Sequence, residues 1–567
     1  MHASVLIKLR RDRTLYEFYR TKRNNQPEQP YPGPSQEILL ERILGGIPFY
    51  ENNKLFDAPV VQNSCTIVTT DPAYTIPITL DETVFIALDG MLNQVASTNI
   101  GPTKTSRIFY LWFMTIVSGY NWVSASGLVS GTKDSWNWDT RYPLTTQNDI
   151  LVFINHLMID IMPTFSASFD TNRIVAAEKS ALGLSDSDLA AMITRVQTEG
   201  HYSDWKAAWQ SWYTARGLDG NVAAAAVPDN SLLPNGAQTL NVSTTSDNPN
   251  TFVNPQKWVP LLVGGAKKNY LTYGWGSVTS SCLTAGDEST LYANVQAYFP
   301  GTAATYNDGS PRALEIAALV SLNGSLTDTQ KMTAEFWAGG PFTVSPPGMM
   351  IWLWKEYMAS TLTAHTVGFD KFFYSGLDLA IHLFEAGRLV WQLKKNNMQA
   401  RPIQEIRRMY RGQTLTNYDG TPILGESWIP YQASNFVTPP FPDFPSGHTA
   451  FSKSFGDVMT AWFGPNIPST TARLLTDLAY LSAIFKQNQT KPLADFTIYQ
   501  GTSEIQANVV PASDIELLWT TWSALAESAG ISRQYGGIHA VSAHTGSVAL
   551  ATELHSLIAT RWGISHS

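Results

Sequence analysis

Three short segments in the last third of the chain hold residue types that can do chemistry together. "WQLKKNNMQARP" (391–402) carries Lys394 and Arg401, "PPFPDFPSGHTAF" (439–451) carries Ser446, Gly447 and His448, and "SRQYGGIH" (532–539) carries Arg533 and His539. Lys394, Arg401 and Arg533 supply three positive charges with many N–H donors. Ser446 adds a hydroxyl. Gly447 adds a backbone N–H where "SGHTAF" enters a helix, an end that attracts anions. The set suits a tetrahedral oxyanion such as phosphate or vanadate, because a multiply charged guest is held in a dry site only where charge and donors replace its hydration. The two histidines divide what remains: one attacks or ligates the central atom, the other moves protons. Residue types alone do not say which does which. Taken singly, each segment is weak, since a lone histidine usually packs and a basic residue at a helix end is usually solvated.

These residues must be carried by helices. "DETVFIALDGMLNQVAST" from Asp81 opens with acids and then spaces its apolar residues as a helix does. "TSRIFYLWFMTIVSGYNWV", "DILVFINHLMIDIM" and "DSDLAAMITRVQTEGHYSDWKAAWQSWYTARG" read the same way, as does "GLDLAIHLFEAGRLVWQLKKNN", which leads into Lys394. "STTARLLTDLAYLSAIFKQ" and "SDIELLWTTWSALAESAGISRQYGG" are also expected to be helical. Strand alternation is scarce beyond residue 80. The expected class is mainly α: helical bundles in two four-helix-bundle-like halves, behind an irregular N-terminal extension. Residues 1–80 form that extension, with a basic start and the Pro-rich "PEQPYPGP", and are expected to be either a solvated arm or one that clasps a neighbouring copy in a homo-oligomer. Residues 81–567 form the helical domain, with a polar connection over 228–256.

Bulk properties narrow the function. A chain of 567 residues with 44% hydrophobic, 12% aromatic and only 15% charged content builds a large core. A net charge of −8 argues against general nucleic-acid binding. Two cysteines far apart, Cys65 and Cys282, make neither a disulfide scaffold nor a thiolate metal site. The most apolar run, "IFYLWFMTIVSGYNWV" from Ile108, is broken by Thr, Ser, Gly and Asn, so a buried helix is expected there and no membrane span. The start has no uninterrupted apolar stretch of the secretory kind.

In order and spacing, Lys-x6-Arg-Pro, Pro-Ser-Gly-His and Ser-Arg-x3-Gly-x-His resemble the signature of the vanadium-dependent haloperoxidases and their relatives, the type 2 phosphatidic acid phosphatases. "GPTKTSRIFYLWFM" (101–114), "NPQKWVPLL" with "YLTYGWGSV" (254–278) and "AEFWAGGPFTVSPPG" (334–348) resemble the haloperoxidase branch. The resemblance runs over roughly residues 80–560.

The resemblance implies vanadate as cofactor, with His539 as its ligand. Lys394, Arg401, Arg533, the Ser446 hydroxyl and the Gly447 amide would hold the equatorial oxygens. His448 would be the acid/base at the apical oxygen, and Lys394 would make peroxide oxygen more electrophilic. Hydrogen peroxide would then oxidise a halide (bromide, iodide, by extension chloride) to hypohalous acid, for transfer to a small organic acceptor. Trp391 and Phe441 resemble the aromatic pair of the chloroperoxidase subgroup, where algal bromoperoxidases tend to have histidine at the place of Phe441; both rings read equally well as core packing. The chain departs from the family at Ala543, where an Asp often stands four residues after the ligand histidine. That leaves the partner of His539 unidentified, with His544 the nearest histidine, and counts against the alternative of an acid phosphatase with His539 as nucleophile. A third reading is an assembly protein that kept the fold.

Overall fold

The computed structural model describes residues 67–68, 75–76, 79–125, 128–340, 343–363, 368–468, 495–564 and 566. The expected extension over residues 1–80 lies almost wholly outside these, and so does the expected helix over 469–487.

The molecule is mainly helical. Leaving aside the single turn Asn221–Ala224, the helices run α1 Thr79–Thr98, α2 Pro102–Val123, α3 Gln147–Phe165, α4 Asn172–Leu182, α5 Asp186–Glu199, α6 Tyr202–Gly217, α7 Ala285–Gln296 and α8 Pro311–Asn323. They continue with α9 Asp328–Phe336, α10 Ser345–Thr363, α11 Phe369–Asn397, α12 Pro402–Met409, α13 Gly447–Phe463, α14 Trp522–Tyr535 and α15 Val541–Trp562. Strands are short pairs, such as Thr414–Thr416 antiparallel to Pro422–Leu424 with Thr414 opposite Leu424.

The organising element is α11. Leu377, Leu379, Ile381, Leu383, Phe384 and Leu389 point around its whole circumference, and all are fully buried. A helix apolar on every side must be enclosed by others. It packs against α2, α7, α10, α13 and α15. The segment from Ile108 lies in α2, inside the main core, as its broken apolar run suggested. Among the described residues no helix is long and apolar enough to cross a membrane.

Two local expectations fail. The helix read across 186–217 breaks into α5 and α6 at Gly200 and His201, the latter with φ of 48°. "IELL" (515–518) is a strand, not the start of a helix. It pairs antiparallel with Asp495–Ile498, and the helix begins only at Trp522, where the Thr521 hydroxyl accepts from the Ala524 amide. Cross-strand pairing outweighs a local apolar spacing that fits a helix equally well.

The polar connection over 228–256 is anchored beside the end of α11. It contains two 3-10 turns, Asn230–Leu232 and Pro249–Thr251, and Leu240–Asn241 pairs in parallel with Leu261–Leu262. Just beyond it, the Trp258 amide donates to the Met398 carbonyl at 2.8 Å, and Lys257 Nζ donates to the Asn397 carbonyl at 2.8 Å. Gln404 of α12 donates to the Pro255 and Lys257 carbonyls. The connection thereby fixes the turn between Lys394 and Arg401.

Candidate active site

The site forms where helix ends converge. Lys394 occupies the last turn of α11, which closes at Met398 in the left-handed conformation. Arg401 is the residue before Pro402 at the start of α12. Ser446 caps α13, its hydroxyl accepting from the Thr449 amide. Arg533 lies in the last turn of α14. His539 sits in the turn between α14 and α15, which reverses at Gly537 with φ of 69°. A Cβ there would stand 2.9 Å from Asn323 Oδ1, so only glycine lets the chain bring His539 back over Arg533. The Ser446 amide donates to the Ala543 carbonyl at 2.8 Å, joining the entrances of α13 and α15.

Every cation of the set is buried: Lys394 is 0%, Arg401 1% and Arg533 1% exposed. Among the described residues none donates to a carboxylate, although the Asp443 charge acts on Lys394 and Arg401. Lys394 Nζ donates to the Pro442 and Asp443 carbonyls at 2.7 and 2.9 Å. Arg401 donates to the Phe441 and Ile538 carbonyls, both at 2.7 Å, and its Nη1 faces His539 Nε2 at 3.2 Å. Arg533 donates to the Ala334 and Ala338 carbonyls at 2.8 and 3.1 Å and to the Ser532 hydroxyl at 3.1 Å. Carbonyl dipoles offset only part of the cost of burying a charge. Burial, then the Arg401 guanidinium, pushes Lys394 well below the usual lysine range, and the same two causes push Arg533 down to about 9. Burial lowers Arg401 to about 10.

The histidines are held neutral. Burial and then Arg401 push His539 well below the usual value, and burial and then Arg533 do the same to His448. His448 Nε2 lies 3.0 Å from the Trp337 carbonyl. Arg533 Nη1, which can only donate, lies 3.3 Å from the same nitrogen. His539 Nδ1 lies 2.5 Å from Asp443 Oδ1. This partner of His539 went unrecognised in the sequence, although Asp443 stands inside "PPFPDFPSGHTAF". The nearer candidate, His544, turns instead to the Thr449 hydroxyl at 3.2 Å and to Glu527 at 3.0 Å.

Trp391 and Phe441 pack beside the cations, their rings 4.7 Å apart and inclined by 53°. Lys394 Nζ is 5.1 Å and Arg401 Cζ 4.9 Å from the centre of the Phe441 ring. Trp391 Nε1 donates to the Leu271 carbonyl at 2.9 Å. The pair belongs to the main core, and the Phe441 ring also lies against the cations.

The residues fit an oxyanion. Arg401 Nη2 is buried and has no hydrogen-bond partner, which marks a donor waiting for an acceptor. Among the described residues no group of His, Cys, Asp and Glu is arranged to hold a bare metal ion. His382 and His555, which hydrogen-bond each other at 3.0 Å, lie in no such group. A metal at this centre would enter as its oxyanion, held by cations and met by one imidazole.

Residues 375–561 match the family model of the VCPO second helical-bundle domain, a span that contains all three segments. No curated protein matches the chain in sequence. Among solved structures, a bacterial vanadium-dependent iodoperoxidase superposes with a TM-score of 0.56 at 16% identity, covering 86% of this chain and 97% of that one. The holo form of a bacterial vanadium-dependent chloroperoxidase gives 0.53 at 14% identity, covering 82% and 93%. Its apo-type counterpart gives 0.50 at 14%, covering 81% and 95%.

Proposed function

We propose that this chain, which has the fold of the vanadium-dependent haloperoxidases, works as one: it binds vanadate and uses hydrogen peroxide to oxidise bromide and iodide, and by its aromatic pair chloride, to the hypohalous acid. The observation that carries the reading is a cluster of three buried cations, none donating to a described carboxylate, in which Arg401 faces the His539 lone pair and Arg533 faces His448. Bound vanadate supplies a Lewis acid that activates peroxide without changing its own oxidation state.

The chain's own residues do the rest. Arg401 and Arg533 fix the oxyanion by paired N–H donors, and Ser446 and the Gly447 amide add donors at the positive end of α13. His539 offers Nε2, since its Nδ1–H donates to the Asp443 carboxylate. Lys394 donates to the oxygen that the halide attacks and withdraws charge from it. His448 is neutral at rest, so it accepts a proton from incoming peroxide and returns it to the departing hypohalite. The Phe441 and Trp391 rings exclude water from the path of the halide.

Orthovanadate added to the ligand-free protein should switch on peroxide-driven bromination of a phenol or a diketone. Absence of bromination in the wild type, or an unchanged rate in His539→Ala, would sink the proposal.

One observation favours a second reading. Asp443 holds His539 as a base-oriented nucleophile must be held, so Ala543 no longer counts against an acid phosphatase that forms a phosphohistidine. Phosphate-ester hydrolysis without vanadate, blocked competitively by vanadate, distinguishes it.

A further inference from the structure

Asp443 has every polar group committed. Its Oδ1 accepts from His539 Nδ1 at 2.5 Å and its Oδ2 from Arg312 Nη2 at 2.7 Å. Its carbonyl accepts from Lys394 Nζ at 2.9 Å and its amide donates to the Gln399 carbonyl at 3.1 Å. Asp443 and Arg312 are both 0% exposed. Arg312, on α8, is itself fixed by Glu405 at 2.6 Å and by the Ala400 carbonyl at 3.1 Å. The Arg312 guanidinium, paired with Oδ2 in a fully buried ion pair, holds Asp443 as a carboxylate. An ionised carboxylate only accepts, so the Nδ1 proton of His539 is pinned and Nε2 keeps its lone pair towards Arg401.

We propose that Asp443, anchored by Arg312, is the positioning residue that makes His539 a ligand for the oxyanion, replacing from the opposite limb of the cradle the carboxylate that this chain lacks at Ala543. The inference rests on the oxyanion function proposed above. Position 543 has other work: its carbonyl accepts from the Ser446 amide at 2.8 Å and from the Ser547 hydroxyl at 3.0 Å.

Two effects of removing the Asp443 charge have opposite signs, and this makes the idea testable. A negative charge beside the cradle repels an anion, so by electrostatics alone Asp443→Asn should tighten oxyanion binding. If Asp443 positions His539, the same change weakens the one oxyanion that bonds to imidazole. Vanadate does so, whereas phosphate held at equilibrium reports the cations alone.

The experiment is calorimetric titration of full-length wild type, Asp443→Asn, His539→Ala and the double variant with vanadate and, separately, with phosphate. Asp443→Asn is expected to lose roughly 10- to 100-fold in vanadate affinity. Its phosphate affinity should be unchanged or higher, which also shows that the cradle is folded. In the His539→Ala background, Asp443→Asn should cost no further vanadate affinity. Asp443→Glu keeps the charge opposite Arg312 but misplaces the oxygens by one methylene, and should also lose vanadate while keeping phosphate. Vanadate affinity retained or tightened in Asp443→Asn overturns the inference. So does an equal loss in the His539→Ala background, or loss of both anions in both variants. Wild type that binds neither anion overturns the oxyanion function itself.

Discussion

Arg401 Nη1 lies 3.2 Å from His539 Nε2, so a fixed cation and the imidazole lone pair face one point from two segments. The guanidinium occupies the place where an oxyanion's charge would fall. Its second nitrogen, Nη2, is already without a partner. Burial, and then repulsion from Arg401, lowers Lys394 and Arg533, and a bound anion relieves that repulsion.

That repulsion predicts a pH dependence. Anion binding raises the Lys394 pKa back towards its ordinary value. A group raised by binding contributes its full affinity below its free-state pKa and loses it progressively as pH climbs from that value through the bound-state one. Anion affinity should therefore fall on the alkaline side, starting well below the lysine value of 10.5. On the acid side His539 stays neutral to well below 6.5, so no loss is expected near neutrality. Sulfate is the suitable probe, because its charge is constant over this range. Lys394→Gln should flatten the alkaline fall; an affinity that rises with pH contradicts the assignment.

The proposed function gives Phe441 a bearing on halide choice. Its ring is tilted against Trp391 and lies near both Lys394 and Arg401. Replacing it by histidine puts a polar, protonatable ring where an apolar face now excludes water. Phe441→His should lower the ratio of chloride to bromide oxidation by about tenfold, a barrier change of about 1.4 kcal/mol. Parallel steady-state assays with the two halides check it, and an unchanged ratio leaves the ring as packing only.

Gly339 guards the position of His448. Its φ is 55°, and a Cβ would stand 3.3 Å from His448 Nε2 and 3.2 Å from Pro346 Cδ. Gly339→Ala should cost about 1–2 kcal/mol from the left-handed conformation alone. It should also push His448 off the Trp337 carbonyl, so turnover falls while vanadate affinity holds. Equal losses in turnover and affinity contradict a local effect on His448.

Arg312 is the largest structural liability. It is 0% exposed and joins Asp443, Glu405 and, at 3.4 Å, Glu315. Arg312→Met leaves these carboxylates buried without their cation and should destabilise the ligand-free fold by about 3–5 kcal/mol. Denaturant unfolding measures the loss, and a change under about 1 kcal/mol is incompatible with the network described.

The cradle was legible because its residues come in short segments whose internal spacing is set by helix ends: Lys394 with Arg401, Ser446 with Gly447 and His448, Arg533 with His539. Asp443 was not, although it stood in plain view. Its partner is 96 positions away, and nothing local to "PPFPDFP" says which buried ring a carboxylate will meet. The search for a partner near His539 in sequence led to His544, which faces Glu527 instead. Arg312 gave no signal either, since in "SPRALEI" it reads as an ordinary first-turn charge. The same limit explains "IELL": its helix-like spacing was visible, whereas its pairing with Asp495–Ile498 was not.

The unpartnered Nη2 of Arg401 has a consequence for occupancy in the cell. Cations gathered this way select for charge and tetrahedral shape, and phosphate satisfies both. Only the imidazole distinguishes a central atom that accepts a fifth bond from one that does not. Protein made in phosphate-rich medium should therefore emerge already loaded with phosphate, and the fraction competent for halide chemistry follows the ratio of two competing oxyanions rather than the amount of vanadate alone.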